Sequence, residues 1–147
     1  MRCFPFCFVL VIACSACTDG NLQTDASSLP DAAHSSQNSL DWPGEYMGIV
    51  PCADCEGIST SLSLAADGTY HLQRQYLGRS DEIFETRSNF TWSADGSRIV
   101  LNNVDAPNQY QVGEGRLFLL DMEGQRIEGA LASLYALQRS KGSKGSE

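Results

Sequence analysis

Apolar and polar residues alternate along much of this chain, which is the pattern of strands with one face buried. The clearest run sets Ile58, Thr60, Leu62 and Leu64 against Ser59, Ser61, Ser63 and Ala65. Asp67-Gly68 follows as a hairpin turn, because glycine accepts the positive backbone angle such turns require. Thr69 to Leu77 returns, with Tyr70, Leu72 and Tyr76 on one face and His71, Gln73 and Gln75 on the other. Beyond a polar loop from Gly78 to Glu82, the residues Phe84, Thr86, Ser88, Phe90 and Trp92 share a face, and Asp95-Gly96 supplies a second turn.

Shorter strands are predicted at Arg98–Asn102, around Tyr110–Val112, at Arg116–Asp121 and around Leu134–Gln138. They are separated by a loop containing Pro107 and by turns at Glu114-Gly115 and Glu123-Gly124. The pattern is weakest from Gln125 to Ser133, which leaves room for a helix. Upstream, Trp42 to Val50 combines aromatic and branched residues with two glycines and suits a bent first strand. About eight short strands with frequent turns and no long helical period predict an all-β fold, an antiparallel meander closing into a barrel over residues 42–139. Closure would also remove the exposed strand edges that invite aggregation.

The flanks read differently. Met1-Arg2 precedes an apolar run from Phe4 to Ala13, too short for a membrane span of about 20 residues, so residues 1–13 read as an export signal. Its end resembles a lipobox, in which the cysteine after the cleavage point carries lipid. Val11-Ile12-Ala13-Cys14 fits that pattern best and assigns lipidation to Cys14, with Cys17 as the alternative. Neither following residue, Ser15 or Thr18, is the aspartate associated with inner-membrane retention, which points to the outer membrane. Residues 14–41, rich in Ser, Asp, Asn, Gln and Ala, read as a flexible tether, and residues 140–147 as a disordered tail.

With 147 residues, 42% hydrophobic and 19% charged, the composition suits one globular domain with polar flanks. A net charge of -8 without a Lys/Arg cluster argues against a nucleic-acid partner. Within the predicted domain, cysteines occur only in Pro51-Cys52-Ala53-Asp54-Cys55-Glu56-Gly57. Such a pair can close a disulfide ring, respond to redox state, or offer thiolates to a soft ion such as Cu(I), with Met47 as a nearby thioether. Zn(II) would want four ligands, and the sequence offers no obvious other two. A strand pattern follows the pair, and Asp54 and Glu56 would raise a thiol pKa, so catalytic disulfide exchange is disfavoured. His34 in the tether and His71 among polar neighbours supply no hydrolase triad, and no phosphate-binding glycine loop is present.

Together with the lipobox and tether, the run Gly48-Ile49-Val50-Pro51-Cys52-Ala53-Asp54-Cys55-Glu56-Gly57-Ile58, with Ser61-Leu62, Asp67-Gly68-Thr69 and Tyr76-Leu77-Gly78, resembles the NlpE N-terminal domain family. The resemblance runs from about Tyr46 to Leu137. It implies a lipocalin-like β-barrel held at the outer membrane by its N-terminal lipid; the residues themselves point to a non-enzymatic protein with no required cofactor. It also implies copper tolerance and envelope-stress signalling towards a Cpx-type sensor protein, with the family's C-x-x-C matching Cys52 and Cys55. The chain ends where longer members continue into a second, OB-like domain with its own cysteine pair, so that domain's roles are not carried over. A rival reading makes the barrel a carrier of a small apolar ligand, provided Tyr70, Tyr76, Phe84, Phe90 and Trp92 do not fill its interior. A third makes it a structural envelope protein with a purely structural disulfide.

Overall fold

A computed structural model describes residues 34–141. The predicted signal, Cys14, Cys17, the tether up to residue 33 and the tail from Gly142 lie outside the described residues. The strands are β1 (Gly44–Val50), β2 (Gly57–Leu64), β3 (Thr69–Leu77), β4 (Ile83–Trp92), β5 (Arg98–Leu101), β6 (Gln109–Gly113), β7 (Arg116–Leu119) and β8 (Ala136–Arg139). Each pairs antiparallel with its neighbour in sequence, and β1 pairs with β8 to close the barrel. The expected eight-stranded meander is therefore the observed fold.

The alternation sets the inward face. On β2 and β3, Leu64 lies opposite Tyr70, Leu62 opposite Leu72 and Thr60 opposite Arg74. Tyr46, Leu62, Leu72, Ile99, Leu101, Leu117 and Leu137 are fully buried and form one continuous core from strands all round the barrel. The serines of β2 face outwards, which is why a strand with three serines among its eight residues can still hold the core.

The end of the barrel at the start of β1 is sealed by aromatic rings. Trp42 meets Phe90 edge-on with ring centroids 5.8 Å apart and Trp92 at 5.3 Å. Such contacts add roughly 0.5–1.5 kcal/mol each to plain burial. Arg139 at the end of β8 donates to the Asp41 carbonyl at 2.6 Å, the Asp41 carboxylate at 2.9 Å and the Pro43 carbonyl at 2.6 Å, latching the incoming chain to the closing strand.

Two segments differ from the sequence expectation. Residues 34–41, assigned to the tether, are folded onto the barrel: a one-turn helix α1 (Ser36–Ser39) sits on the β4–β5 turn through Gln37 N–H to Gly96 O at 3.0 Å, and Leu40 packs on the core. The turn must be glycine here, since Gly96 has φ of 62° and an added Cβ would lie 2.7 Å from Ser35. The second segment, Gln125 to Ser133, holds no α-helix, only the start of a 3-10 turn at Ala132–Tyr135. The Asp121 carboxylate takes the N–H groups of Glu123 and Gln125, and Gly124 and Gly129 adopt positive φ, so a helix cannot nucleate.

Candidate functional site at the open end of the barrel

The opposite end carries the C-x-x-C loop. Six residues, Pro51 to Glu56, connect β1 to β2. Glu56 N–H donates to the Leu77 carbonyl at 3.1 Å, tying the loop to the end of β3. Gly57 is required for close approach, because a Cβ there would stand 2.6 Å from the Ile49 side chain. The Cys52 and Cys55 sulfurs are joined at 2.12 Å, with the Cα atoms 5.3 Å apart. Both are half-buried, and Asp54 between them is exposed and ion-paired with Arg79. The ion pair faces solvent and contributes little. Cys52 Sγ lies 3.5 Å from Asp54 Oδ1 and Cys55 Sγ 3.4 Å from the Gly57 carbonyl. Disulfide sulfurs carry no proton, so these are packing contacts.

Cys52, Asp54 and Cys55 bring their donor atoms within 4.8 Å of one another. Joined as a disulfide, the sulfurs offer no thiolate; reduction would yield two, a donor pair that suits Cu(I) far better than the hard Asp54 carboxylate does. Met47 faces away from the barrel interior on β1, opposite Ser61, and is 50% exposed.

Beside this loop the barrel is open. The short β5 meets β4 only at Phe90–Trp92, so the β4 segment from Ile83 to Ser88 has no strand on that side. The gap exposes a cup of about 560 Å³, bounded by the Pro51–Asp54 loop, the Asp105–Pro107 loop with its cis Ala106-Pro107 bond, and Tyr135. Thr60, Arg74, Thr86 and Tyr110 line its depth, and Tyr76 and Phe84 meet edge-on at its mouth with centroids 5.6 Å apart.

The aromatics weighed in the sequence thus divide. Tyr70 and Phe90 are buried in the filled half with Trp92 beside them, whereas Tyr76 and Phe84 line the cup. The Tyr70 hydroxyl donates to the Asn102 carbonyl. His71 faces outwards, 3.3 Å from Glu85, whose carboxyl is held below its ordinary range mainly by hydrogen bonds from Gln73 and His71. His34 lies in the lead-in ahead of α1. Sequence reading passed over Arg74, although the alternation that puts Tyr70, Leu72 and Tyr76 inside puts Arg74 there too. A charged residue on an otherwise apolar face was the available signal.

A sequence profile described as the NlpE N-terminal domain matches residues 46–130. The chain belongs to the NlpE N-terminal domain family. Lipoprotein NlpE of Escherichia coli strain K12 is 37% identical over 102 residues, covering 69% of this chain and 42% of the relative. The chain thus spans about two fifths of that curated relative's length. A crystal structure of a protein from Shewanella oneidensis assigned as a lipoprotein is 45% identical, with a TM-score of 0.68 over 74% of this chain and 98% of its own. The crystal structure described as the Cpx pathway activator NlpE from Escherichia coli aligns at 36% identity over 60% of this chain and 46% of that one, with a TM-score of 0.49. For this NlpE-family chain the barrel fold is thus shared with a solved relative that aligns over 98% of its own length.

Proposed function

We propose that this chain is a non-enzymatic, lipid-anchored outer-membrane protein that takes part in envelope-stress sensing and copper tolerance through its C-x-x-C rim. The observation that carries the reading is the 37% identity to Lipoprotein NlpE of Escherichia coli, a protein described as the Cpx pathway activator. Residues 1–13 serve as the lipoprotein signal, Cys14 (alternatively Cys17) carries the lipid, and the barrel faces the periplasm or cell surface. The partner is an envelope-stress sensor protein. The disulfide holds the rim loop closed; two electrons and two protons from a dithiol reductant open it to two thiols. Cys52 and Cys55, as thiolates, would hold one Cu(I) through two soft sulfur donors.

The cup favours a second reading, in which the barrel also carries a small, largely apolar ligand. Its volume falls in the range of small-molecule sites, roughly 300–1,000 Å³, and its mouth is aromatic.

The test of the first reading is complementation in cells lacking the gene, scored for growth on copper and for an envelope-stress reporter. The wild-type chain should restore both. Cys14→Ser with Cys17→Ser should lose both, and Cys52→Ser with Cys55→Ser should lose copper tolerance. Full restoration of both readouts by both double variants would refute the reading.

A further inference from the structure

Among the described residues Arg74 is the one cation lining the cup, and none of them neutralises it. It sits on the inward face of β3, opposite Thr60 on β2 and Phe84 on β4, directly above the fully buried Leu62–Leu72 pair. Thr60 is only 3% exposed, so this level of the cup is deep. Among the described residues no carboxylate pairs with Arg74. Two acidic residues line the same cup: Asp54 is taken by Arg79 at the rim, and Asp105 is exposed on the mouth loop. A guanidinium in a partly dry, apolar-walled space is stabilised strongly by an anion, and its fork of donors matches a carboxylate in bidentate fashion.

The surroundings add a second polar contact. The charge of Arg74 acts on the phenols of both Tyr70 and Tyr110. Tyr110 is 5% exposed, and burial pushes its pKa up to about 12, so it keeps its proton and can donate. Above this level the walls turn apolar: Ile58, Tyr76, Phe84, Pro107, Leu119 and Tyr135. Phe84, unpartnered on the β5 side, is 47% exposed and would be covered by a chain lying in the mouth.

We propose that the cup binds a single-headed carboxylate amphiphile, head inwards on Arg74 with its apolar chain against the aromatic mouth. This deepens the carrier reading and rests on it. One half-buried cation selects a single negative charge, since a dianionic head would be only half neutralised and would meet the Asp105 carboxylate at the mouth.

The test titrates the full chain, disulfide intact, with decanoate and with 1-decanol, its neutral counterpart, by isothermal calorimetry below micelle formation. The account expects one decanoate per chain and at least ten-fold weaker decanol. Arg74→Gln, checked for folding by circular dichroism, should reduce decanoate to the level of decanol while leaving decanol unchanged. Equal binding of the two by the wild-type chain overturns the role of Arg74 but leaves the carrier reading standing. That comparison needs no variant. Binding of neither overturns both readings. A peptide ending in a free carboxylate after phenylalanine, used as third titrant, overturns the amphiphile assignment if it alone binds.

Discussion

Replacing Cys52 and Cys55 by serine opens a ring closed across three residue steps. On chain-entropy grounds a loop of about four residues restricts the unfolded chain by roughly 2 kcal/mol, a small value because so short a loop has little freedom to lose. The folded side adds little, since both cysteines are only half-buried at the rim and their removal leaves no hole in the core. The loop keeps its Glu56 to Leu77 hydrogen bond and its seat on Gly57. The expected loss is therefore about 2 kcal/mol, a fall in Tm of roughly 6–12 °C for a folded region of this size. Urea melts of the oxidised chain, the same chain after reduction, and the double-serine variant give the value directly. Reduced wild type and the variant should coincide, with a slightly larger m than the oxidised form because the freed unfolded chain exposes more surface. A loss below about 0.5 kcal/mol, or above about 4 kcal/mol, would refute the reasoning: the first would mean the ring constrains nothing, the second that the loop belongs to the core.

Leu62→Ala removes a fully buried side chain from the layer beneath the cup and should destabilise by roughly 2–5 kcal/mol in denaturant melts. Arg139→Ala breaks the latch to Asp41 and Pro43 and should lose about 2 kcal/mol, with faster hydrogen exchange at β1 and β8 than elsewhere. Asp95 in the β4–β5 turn has its pKa lowered to about 2, first by the Ser93 hydroxyl and then by Ser97. Because the folded value lies below the unfolded value of about 3.9, the stabilisation is full above pH ~4 and lost as pH falls towards 2. Asp95→Ala should accordingly weaken the chain near pH 7 by no more than about 1 kcal/mol, given solvent screening, with the difference shrinking through pH 2 and vanishing below it.

The barrel was legible in the sequence because its strongest strands alternate cleanly. The serines of β2 against Ile58, Thr60, Leu62 and Leu64 leave only one face that can be buried, and Asp67-Gly68 fixes the register of the hairpin. Residues 34–41 were not legible as folded: four polar residues make up α1, and it is held by contacts such as a backbone hydrogen bond to Gly96, the Trp42 indole donating to the Gln37 carbonyl and the seat of Leu40, none of which has a periodic signature. The absent helix after Gln125 turns on Asp121 capturing two N–H groups, a local contact that competes with helix formation. The cysteine pair stood out by composition. The cup did not, because it arises from unequal strand lengths: β4 has ten residues and β5 four, and only pairing reveals the gap between them.

The most direct test of the proposed redox-gated copper site is Cu(I) titration against a competing chelator, with free thiols counted before and after reduction, on the full chain with Cys3, Cys7, Cys14 and Cys17 replaced by serine so that Cys52 and Cys55 are the thiols under test. The account predicts that the oxidised chain holds no copper, that the reduced chain holds one Cu(I), and that Cys52→Ser with Cys55→Ser holds none in either state. Equal copper binding by the oxidised chain or by the variant, or none by the reduced chain, would contradict it.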